Sequence, residues 1–225
     1  NKTISVNKVA AEISSQTGNE VMGVIVDVKE EQSVKELVSS VISRWGKLDI
    51  LVNNAGTSSA STLEEMTNDQ VSEDFQLKVF GAIYCVRHTL PYLKKSKSGS
   101  IINITTPGGK AAAEGSQPTA LSRAAGISLT KSWSKEFSKH NIRVNTICVG
   151  IIKSGQHRKR WKLINQKDHT YSLEDHWKSI SHNVPLGRIG EDHEAGDIIA
   201  FLSSDKASYV TGTAINVDGG SSPVV

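Results

Sequence analysis

The sequence has 225 residues, of which 37% are hydrophobic and 22% are charged. This length suits one domain with a full-sized core, and charges of both signs are spread along the chain, so we expect no long disordered tail. The formal net charge of +3 is too small to require a nucleic-acid partner. No apolar run reaches the ~18 residues of a membrane span and no signal peptide opens the chain, which predicts a cytoplasmic protein.

The two cysteines, Cys85 and Cys148, each lie in an apolar run. Neither has the spacing to another cysteine that is typical of a metal site. Buried, reduced thiols are the ordinary interpretation, and they fit an intracellular, reducing compartment. We therefore predict no metal site.

Apolar runs typical of buried strands alternate along the chain with stretches whose apolar residues recur at helical spacing. The predicted elements in chain order are a helix at 6–13, a strand at 21–26, a helix at 34–42, a strand at 48–52, a helix at 71–93, a strand at 100–104, a helix at 118–140, a strand at 143–149, a helix at 195–202 and a strand at 214–217. Strands that are apolar throughout and separated by helices predict a doubly wound α/β fold with a parallel sheet covered on both faces. One domain spans residues 1–225, and the loops after the strand ends should carry the ligand site.

Four ordered segments of the chain resemble the short-chain dehydrogenase/reductase family. They are Asp27-Val28, the run from Leu48 to Gly56 with its Asn53-Asn54-Ala55-Gly56 ending, Ile142-Arg143-Val144-Asn145 and Asp218-Gly219-Gly220. The resemblance implies a Rossmann-like fold and NAD or NADP as cofactor, bound by Asp27, Val28, Asn54, Ala55, Gly56 and Ile152. A turn of small residues lets backbone approach a ligand, although a strand-capping turn kept for folding alone is an equally open interpretation.

The N-terminal region departs from the family pattern. The family opens with a strand, a glycine-rich turn and a helix that hold the cofactor pyrophosphate, followed by a second strand. This sequence begins within what resembles the next helix, and Gly18 and Gly23 do not replace the motif because no helix starts after them. Three explanations are open: further sequence precedes residue 1, the strand at 21–26 pairs directly with the strand at 48–52, or a partner chain fills the gap. If the sequence is complete, dinucleotide binding should be weak or absent.

The catalytic positions depart as well. The family uses a tyrosine as general acid and base, a lysine four residues later, a serine thirteen residues before the tyrosine, and an asparagine on the preceding long helix. Alignment on the strand at 100–104 and on that helix places four residues at these positions, namely Lys78, Thr106, Thr119 and Arg123. An aliphatic hydroxyl titrates far above a phenol and arginine stays protonated, so the proton transfer of the family is lost at these positions. Tyr171 is a less favoured source of a phenol.

Two hypotheses follow from these substitutions. The first is a catalytically impaired or inactive member of the family that keeps a structural or binding function. The alternative is an active NAD(P)-dependent oxidoreductase that interconverts an alcohol and a carbonyl at a modified site and has further sequence upstream. The sequence does not name the substrate.

The stretch 153–182 is polar, basic and aromatic, and the resemblance implies that it covers the substrate like a lid. Its basic cluster fits either a solvated helical face, which we favour, or an anionic substrate, and consists of Lys153, Arg158, Lys159, Arg160 and Lys162. In the family the helices matching 71–93 and 118–140 form a four-helix bundle between subunits, and a C-terminal segment like 218–225 often builds a second interface. We therefore predict a homodimer or homotetramer, with no membrane association and no nucleic-acid role.

Overall fold

The computed structural model describes residues 2–225, with side chains from residue 5 onward, and has a parallel sheet at its centre. Within these residues the sheet has four strands in the order β1-β2-β3-β4. Their bounds are Ile50–Asn53 for β1, Gly99–Thr105 for β2, Ile142–Val149 for β3 and Ala214–Val217 for β4. All three neighbouring pairs are parallel, as predicted for a doubly wound fold.

The five predicted helices are present with shifted ends, and the insertion at 153–182 adds two helices that were not predicted. They are α1 Lys2–Thr17, α2 Glu31–Trp45, α3 Asn68–Phe75, α4 Gly81–Leu93, α5 Thr119–Glu136, α6 Gly155–Asn165, α7 Leu173–Ser181 and α8 Asp192–Ser203. The single helix predicted at 71–93 consists of α3 and α4 joined by a π-helical turn, Gln76–Phe80. Pro91 lies inside α4, which continues to Leu93.

The core has two halves because successive residues of a strand point to opposite faces of the sheet. Ile101 of β2 packs with Val86 and Leu93 of α4 on one face. Its neighbour Ile102 packs with Leu202 of α8 on the other face. Every residue of β2 is buried, as expected for a central strand of a parallel sheet.

The segment 21–28 differs from its prediction. It belongs to no strand within the described residues, and Ile25 is 51% exposed. The prediction of a buried strand at 21–26 is therefore wrong. Gly23 packs closely on Val6 of α1, and Val28 packs on Gly81 of α4. Among residues 2–225, β1 therefore pairs with β2 alone. Of the three explanations given for the N-terminal region, direct pairing of the segment at 21–26 with β1 is wrong.

The insertion at 153–182 folds into α6 and α7, which pack on each other through aromatic side chains. Nε1 of Trp161 donates to the carbonyl of Tyr171 at 3.1 Å, and the Tyr171 ring meets His176 edge-on. Tyr171 is therefore held by contacts within the insertion. Arg158 lies over the ring of Trp177 and most of the other basic side chains are exposed, in agreement with a solvated helical face.

Candidate active site

Three of the four predicted catalytic residues meet at the carboxyl ends of β1 and β2. Lys78 comes from the π-helical turn, and Thr119 and Arg123 come from the first turns of α5. Nζ of Lys78 lies 3.4 Å from Oγ1 of Thr119, and Nη1 of Arg123 donates to the carbonyl of Ile104 in β2 at 2.7 Å. This is the edge at which parallel α/β sheets place their ligand sites.

A buried carboxylate that sequence reasoning missed lies at the centre of the cluster. Asp74 is 3% exposed and forms an ion pair with Lys78, one helical turn away. It also accepts hydrogen bonds from the hydroxyl groups of Ser59 at 2.7 Å and Ser122 at 2.5 Å. A carboxylate removed from water requires such partners. The sequence signal that could have found it is a pair of opposite charges four residues apart on the long predicted helix, the spacing at which helical side chains meet.

The side chain of Lys78 is 2% exposed, and local backbone geometry helps to place it. In the π-helical turn the N–H of Gly81 bonds to the carbonyl of Gln76, five residues back rather than four. Single π-helical turns inside α-helices occur often at functional sites. Burial lowers the pKa of Lys78 from its ordinary value, and the charge of Arg123 acts in the same direction. The hydrogen bond and charge of Asp74 oppose this effect in part.

Thr119 holds the loop after β1 to the start of α5. Its Oγ1 accepts from the backbone N–H of Ser59 at 3.0 Å and faces Lys78 at 3.4 Å. Two donors fill the acceptor sites of this hydroxyl, and its own proton stays free to donate. The side chain therefore offers a single hydroxyl hydrogen to a bound molecule.

Arg123 explains the glycine in the turn after β1. A Cβ atom at Gly56 would lie 2.8 Å from Nη2 of Arg123, so any larger residue would displace the guanidinium. Burial lowers the pKa of Arg123 and Asp74 opposes the shift, but arginine stays protonated. Its Nε is buried and has no hydrogen-bond partner among residues 2–225. An unpaired buried donor of this kind is unusual and fits a group that awaits a ligand.

The fourth predicted catalytic residue, Thr106, stands apart from the cluster. It precedes a short 3₁₀ turn, Pro107–Gly109, and none of the described hydrogen bonds joins its side chain to Thr119 or Arg123. The turn itself packs on α5, because a Cβ at Gly109 would lie 2.9 Å from the carbonyl carbon of Arg123. Thr106 is thus near the site without a direct bond to it.

The predicted cofactor residues lie in three parts of the chain. Asn54, Ala55 and Gly56 are exposed at the carboxyl end of β1, next to Arg123. Asp27 is exposed, and its carboxylate accepts from the N–H of Lys29 at 3.0 Å. Beyond β3, Ile152 forms a parallel bridge with Gly190 at the base of the insertion.

A cavity of about 250 Å³ extends from this cluster into the space between the sheet, α4 and α5. Lys78, Ser122 and Arg123 reach it, and Leu51 and Trp133 are among its apolar lining residues. Apolar cavities with a few convergent polar groups are typical of small-molecule sites.

Comparison with known proteins identifies the family. The family model described as enoyl-(acyl carrier protein) reductase matches residues 2–222. The 3-oxoacyl-(acyl-carrier-protein) reductase FabG of Thermotoga maritima is 33% identical over 196 residues, which are 87% of this chain and 75% of that protein. The chain belongs to the short-chain dehydrogenase/reductase family. The cofactor implied by this membership is NAD or NADP.

Solved structures of other short-chain dehydrogenase/reductases superpose closely. L-sorbose reductase from Gluconobacter frateurii, in complex with NADPH and L-sorbose, has a TM-score of 0.92 at 28% identity, over 98% of this chain and 84% of that chain. An NADPH-bound short-chain oxidoreductase from Pseudomonas aeruginosa PAO1, described as containing an atypical catalytic center, has a TM-score of 0.89 at 30% identity, with the same coverage. No helix within residues 2–225 is both long and apolar enough to cross a bilayer.

The described residues fit the nicotinamide end of such a cofactor. The buried Nε of Arg123 lacks a partner, and Gly56 leaves room for the guanidinium beside the exposed Asn54-Ala55-Gly56 turn. The ribose hydroxyls of a nicotinamide nucleotide are suitable acceptors for the guanidinium N–H groups of Arg123. Gly18 ends α1 with a φ of +70° and opens no helix, so it supplies no phosphate-binding turn.

Proposed function

We propose that this chain catalyses NAD(P)(H)-dependent interconversion of a carbonyl compound and an alcohol at a modified short-chain dehydrogenase/reductase site. The observation that carries the proposal is the buried cluster of Lys78, Thr119 and Arg123 around Asp74. Buried ion pairs contribute little stability relative to apolar side chains of similar size. A catalytic role therefore explains buried charged groups at the ligand-binding edge of the sheet better than a contribution to stability does.

The relatives favour the hypothesis of an active oxidoreductase over the hypothesis of a catalytically impaired or inactive protein. FabG of Thermotoga maritima is a 3-oxoacyl reductase by name, and L-sorbose reductase holds NADPH together with a sugar carbonyl compound. The oxidoreductase from Pseudomonas aeruginosa PAO1 holds NADPH beside an atypical catalytic center. One similar oxidoreductase thus binds NADPH although its catalytic center is atypical, and we extend this property to the present chain.

The chain's residues divide into binding and positioning roles in this proposal. Arg123 holds the nicotinamide ribose, and the turn at 54–56 supports the ring. Asp27 and Val28 lie at the adenine, and Ile152 borders the nicotinamide. The bound nicotinamide supplies or accepts the hydride. Thr106 and Thr119 offer hydroxyl groups to the substrate oxygen, because both keep a donor at the positions that bind it in the family.

We also propose a homodimer or homotetramer in the cytoplasm. Phe80 and Leu121 are 44% and 47% exposed beside the helices that associate in the family. Apolar side chains of this size gain free energy when a second subunit covers them. The free thiols of Cys85 and Cys148 fit a reducing compartment.

The proposed function is tested by titrating the full chain with NADPH and NADH, followed by nicotinamide fluorescence, and by assaying a panel of ketones and aldehydes. Arg123→Met should weaken NADPH binding at least tenfold, because the ribose loses its charged donor. Arg44→Met is the matched control, since this exposed arginine near the end of α2 pairs with Glu20 and contacts none of the clustered residues. Failure of the native chain to bind either dinucleotide would refute the proposal, and unchanged binding in Arg123→Met would refute the role of Arg123.

A further inference from the structure

We propose that Lys78 is the acid and base that exchanges a proton with the substrate oxygen, and that Asp74 is its positioning residue. The inference rests on the proposed function and specifies the proton donor of that reaction. Where the family places a neutral side chain at the position of Lys78, this chain places a cation, and where the family places a phenol, this chain has Thr119, whose side chain is shorter by a ring. The acidic group therefore reaches the site from the other long helix.

The hydrogen-bond geometry leaves Lys78 one donor to spare. An ammonium group has three N–H bonds. One is directed to the carboxylate of Asp74 and one to Oγ1 of Thr119 at 3.4 Å. No third acceptor for it occurs among the described residues, and Lys78 lines the cavity that opens from the site. A carbonyl oxygen beside Thr119 would thus meet both the hydroxyl of Thr119 and the third N–H of Lys78.

The proton step is balanced without any further reactant. As the carbonyl carbon gains the hydride, an N–H bond of Lys78 breaks and an O–H bond forms on the carbonyl oxygen, so the product is an alcohol and the lysine becomes a neutral amine. The electron pair of the broken bond stays on nitrogen, and a proton from solvent water restores the ammonium group after the alcohol leaves. In the oxidative direction the neutral amine takes the proton from the alcohol.

Burial and the charged groups around Lys78 together lower its pKa, which makes it a stronger acid for proton transfer to the substrate. Asp74 of α3 and Arg123 of α5 are the charged side chains that face it. Burial and Arg123 favour the neutral amine, while Asp74 favours the ammonium, and burial is the largest of these effects. A general acid is most effective when its pKa lies near the working pH, and an exposed lysine titrates too high for this.

A purely structural role for the Asp74–Lys78 pair is separated from catalysis by two kinds of variant. Lys78→Arg keeps the positive charge beside Asp74 but does not release a proton near neutral pH. Lys78→Met removes the charge and leaves a buried carboxylate unpaired, which threatens folding. The neutral pair Asp74→Asn/Lys78→Met avoids that problem and still lacks the acid. Lys35→Met, at an exposed position on α2, is the matched control.

The experiment measures kcat for ketone reduction, Kd for NADPH and the pH profile of each variant. Loss of the acid should lower kcat by ~10²–10⁴-fold in every Lys78 variant, with Kd close to the native value. Native activity should fall as the pH rises through the pKa of Lys78, because the protonated form donates, and this alkaline limb should vanish in Lys78→Arg. Without cofactor, the pH dependence of acetic anhydride labelling should give Lys78 a lower midpoint than the exposed lysines.

Two results would overturn the inference in distinguishable ways. If the native chain reduces ketones and Lys78→Arg keeps its kcat and pH profile, or Lys78 labels with the same midpoint as the exposed lysines, Lys78 is not the acid although the proposed function stands. If the native chain binds no dinucleotide, the proposed function fails and the role of Lys78 fails with it.

Discussion

The buried pair of Asp74 and Lys78 makes a prediction about stability that needs no cofactor. Both side chains are almost fully enclosed, at 1% and 2% exposed. Removal of one partner leaves the other charge without its counter-ion, which costs about 3–5 kcal/mol for a buried pair. Asp74→Asn and Lys78→Met should therefore each lower the free energy of unfolding by about that amount.

The double variant Asp74→Asn/Lys78→Met should be more stable than either single variant. It buries no unpaired charge, and the amide oxygen that replaces the carboxylate still accepts from Ser59 or Ser122. The remaining cost is imperfect packing and the loss of the hydrogen bonds that Lys78 and the other serine made. Urea unfolding followed by tryptophan fluorescence gives the three free energies. A double variant as unstable as the sum of the two singles would show that the charges are not coupled, and the geometric argument for the site would fail.

Other substitutions test the turn after β1, the ion pair between Arg188 and Glu194 at the start of α8, and subunit contacts. Gly56→Ala places a methyl group 2.8 Å from Nη2 of Arg123 and so displaces the guanidinium. Loss of the charged hydrogen bond from Arg123 to the ribose, worth about 1.5–3 kcal/mol, should weaken NADPH binding at least tenfold in a fluorescence titration. The hydrogen bond from Arg188 lowers the pKa of Glu194 from 4.5 to about 2, so the native chain should lose stability as the pH falls through this range, and Glu194→Gln should lose less in urea unfolding. Leu121→Asp on α5 should yield monomers in light scattering, because a charge replaces an apolar contact.

The Gly56→Ala and Leu121→Asp variants each have a control at a position without the relevant contact. Gly155→Ala adds a methyl group with no heavy atom within 4 Å, and it should leave NADPH binding unchanged. Leu63→Asp changes a residue that is 81% exposed and should leave the oligomer intact. Equal effects in test and control would contradict the structural reason given for the turn or the interface. An acid transition that Glu194→Gln leaves unchanged would assign that loss of stability to other carboxylates.

The central strands were predictable because burial on both faces makes them apolar throughout. The predictions at 100–104 and 143–149 fall inside β2 and β3, and that at 214–217 matches β4. The run at 21–26 has the same local pattern but is no strand in the structure. A strand requires a partner, and the identity of its neighbour is a property of the whole sheet that local pattern does not encode.

The site was predictable in part for a similar reason. Lys78, Thr119 and Arg123 were found by aligning the chain with the family pattern, and the structure brings them together. Ser59 and Ser122 were missed because a serine on its own has no distinctive pattern, and their role arises only when β1, α3 and α5 pack. Asp74 connects these elements, and its partners are 15 and 48 residues away in the chain.

The balance of charge in the cluster indicates how such a site would act on a neutral substrate. Asp74 compensates one of the two cations, Lys78 and Arg123, so one positive charge remains inside a largely apolar cavity. Negative charge develops on the carbonyl oxygen as the carbon accepts a hydride, and a fixed cation in a water-excluded site stabilises that charge more than it stabilises the ground state. In this arrangement Arg123 supplies the field and Lys78 the proton, whereas a phenol and one lysine share both tasks in the family pattern. Two groups with separate tasks should respond separately, so Arg123→Met should weaken cofactor binding and Lys78→Arg should change the pH profile.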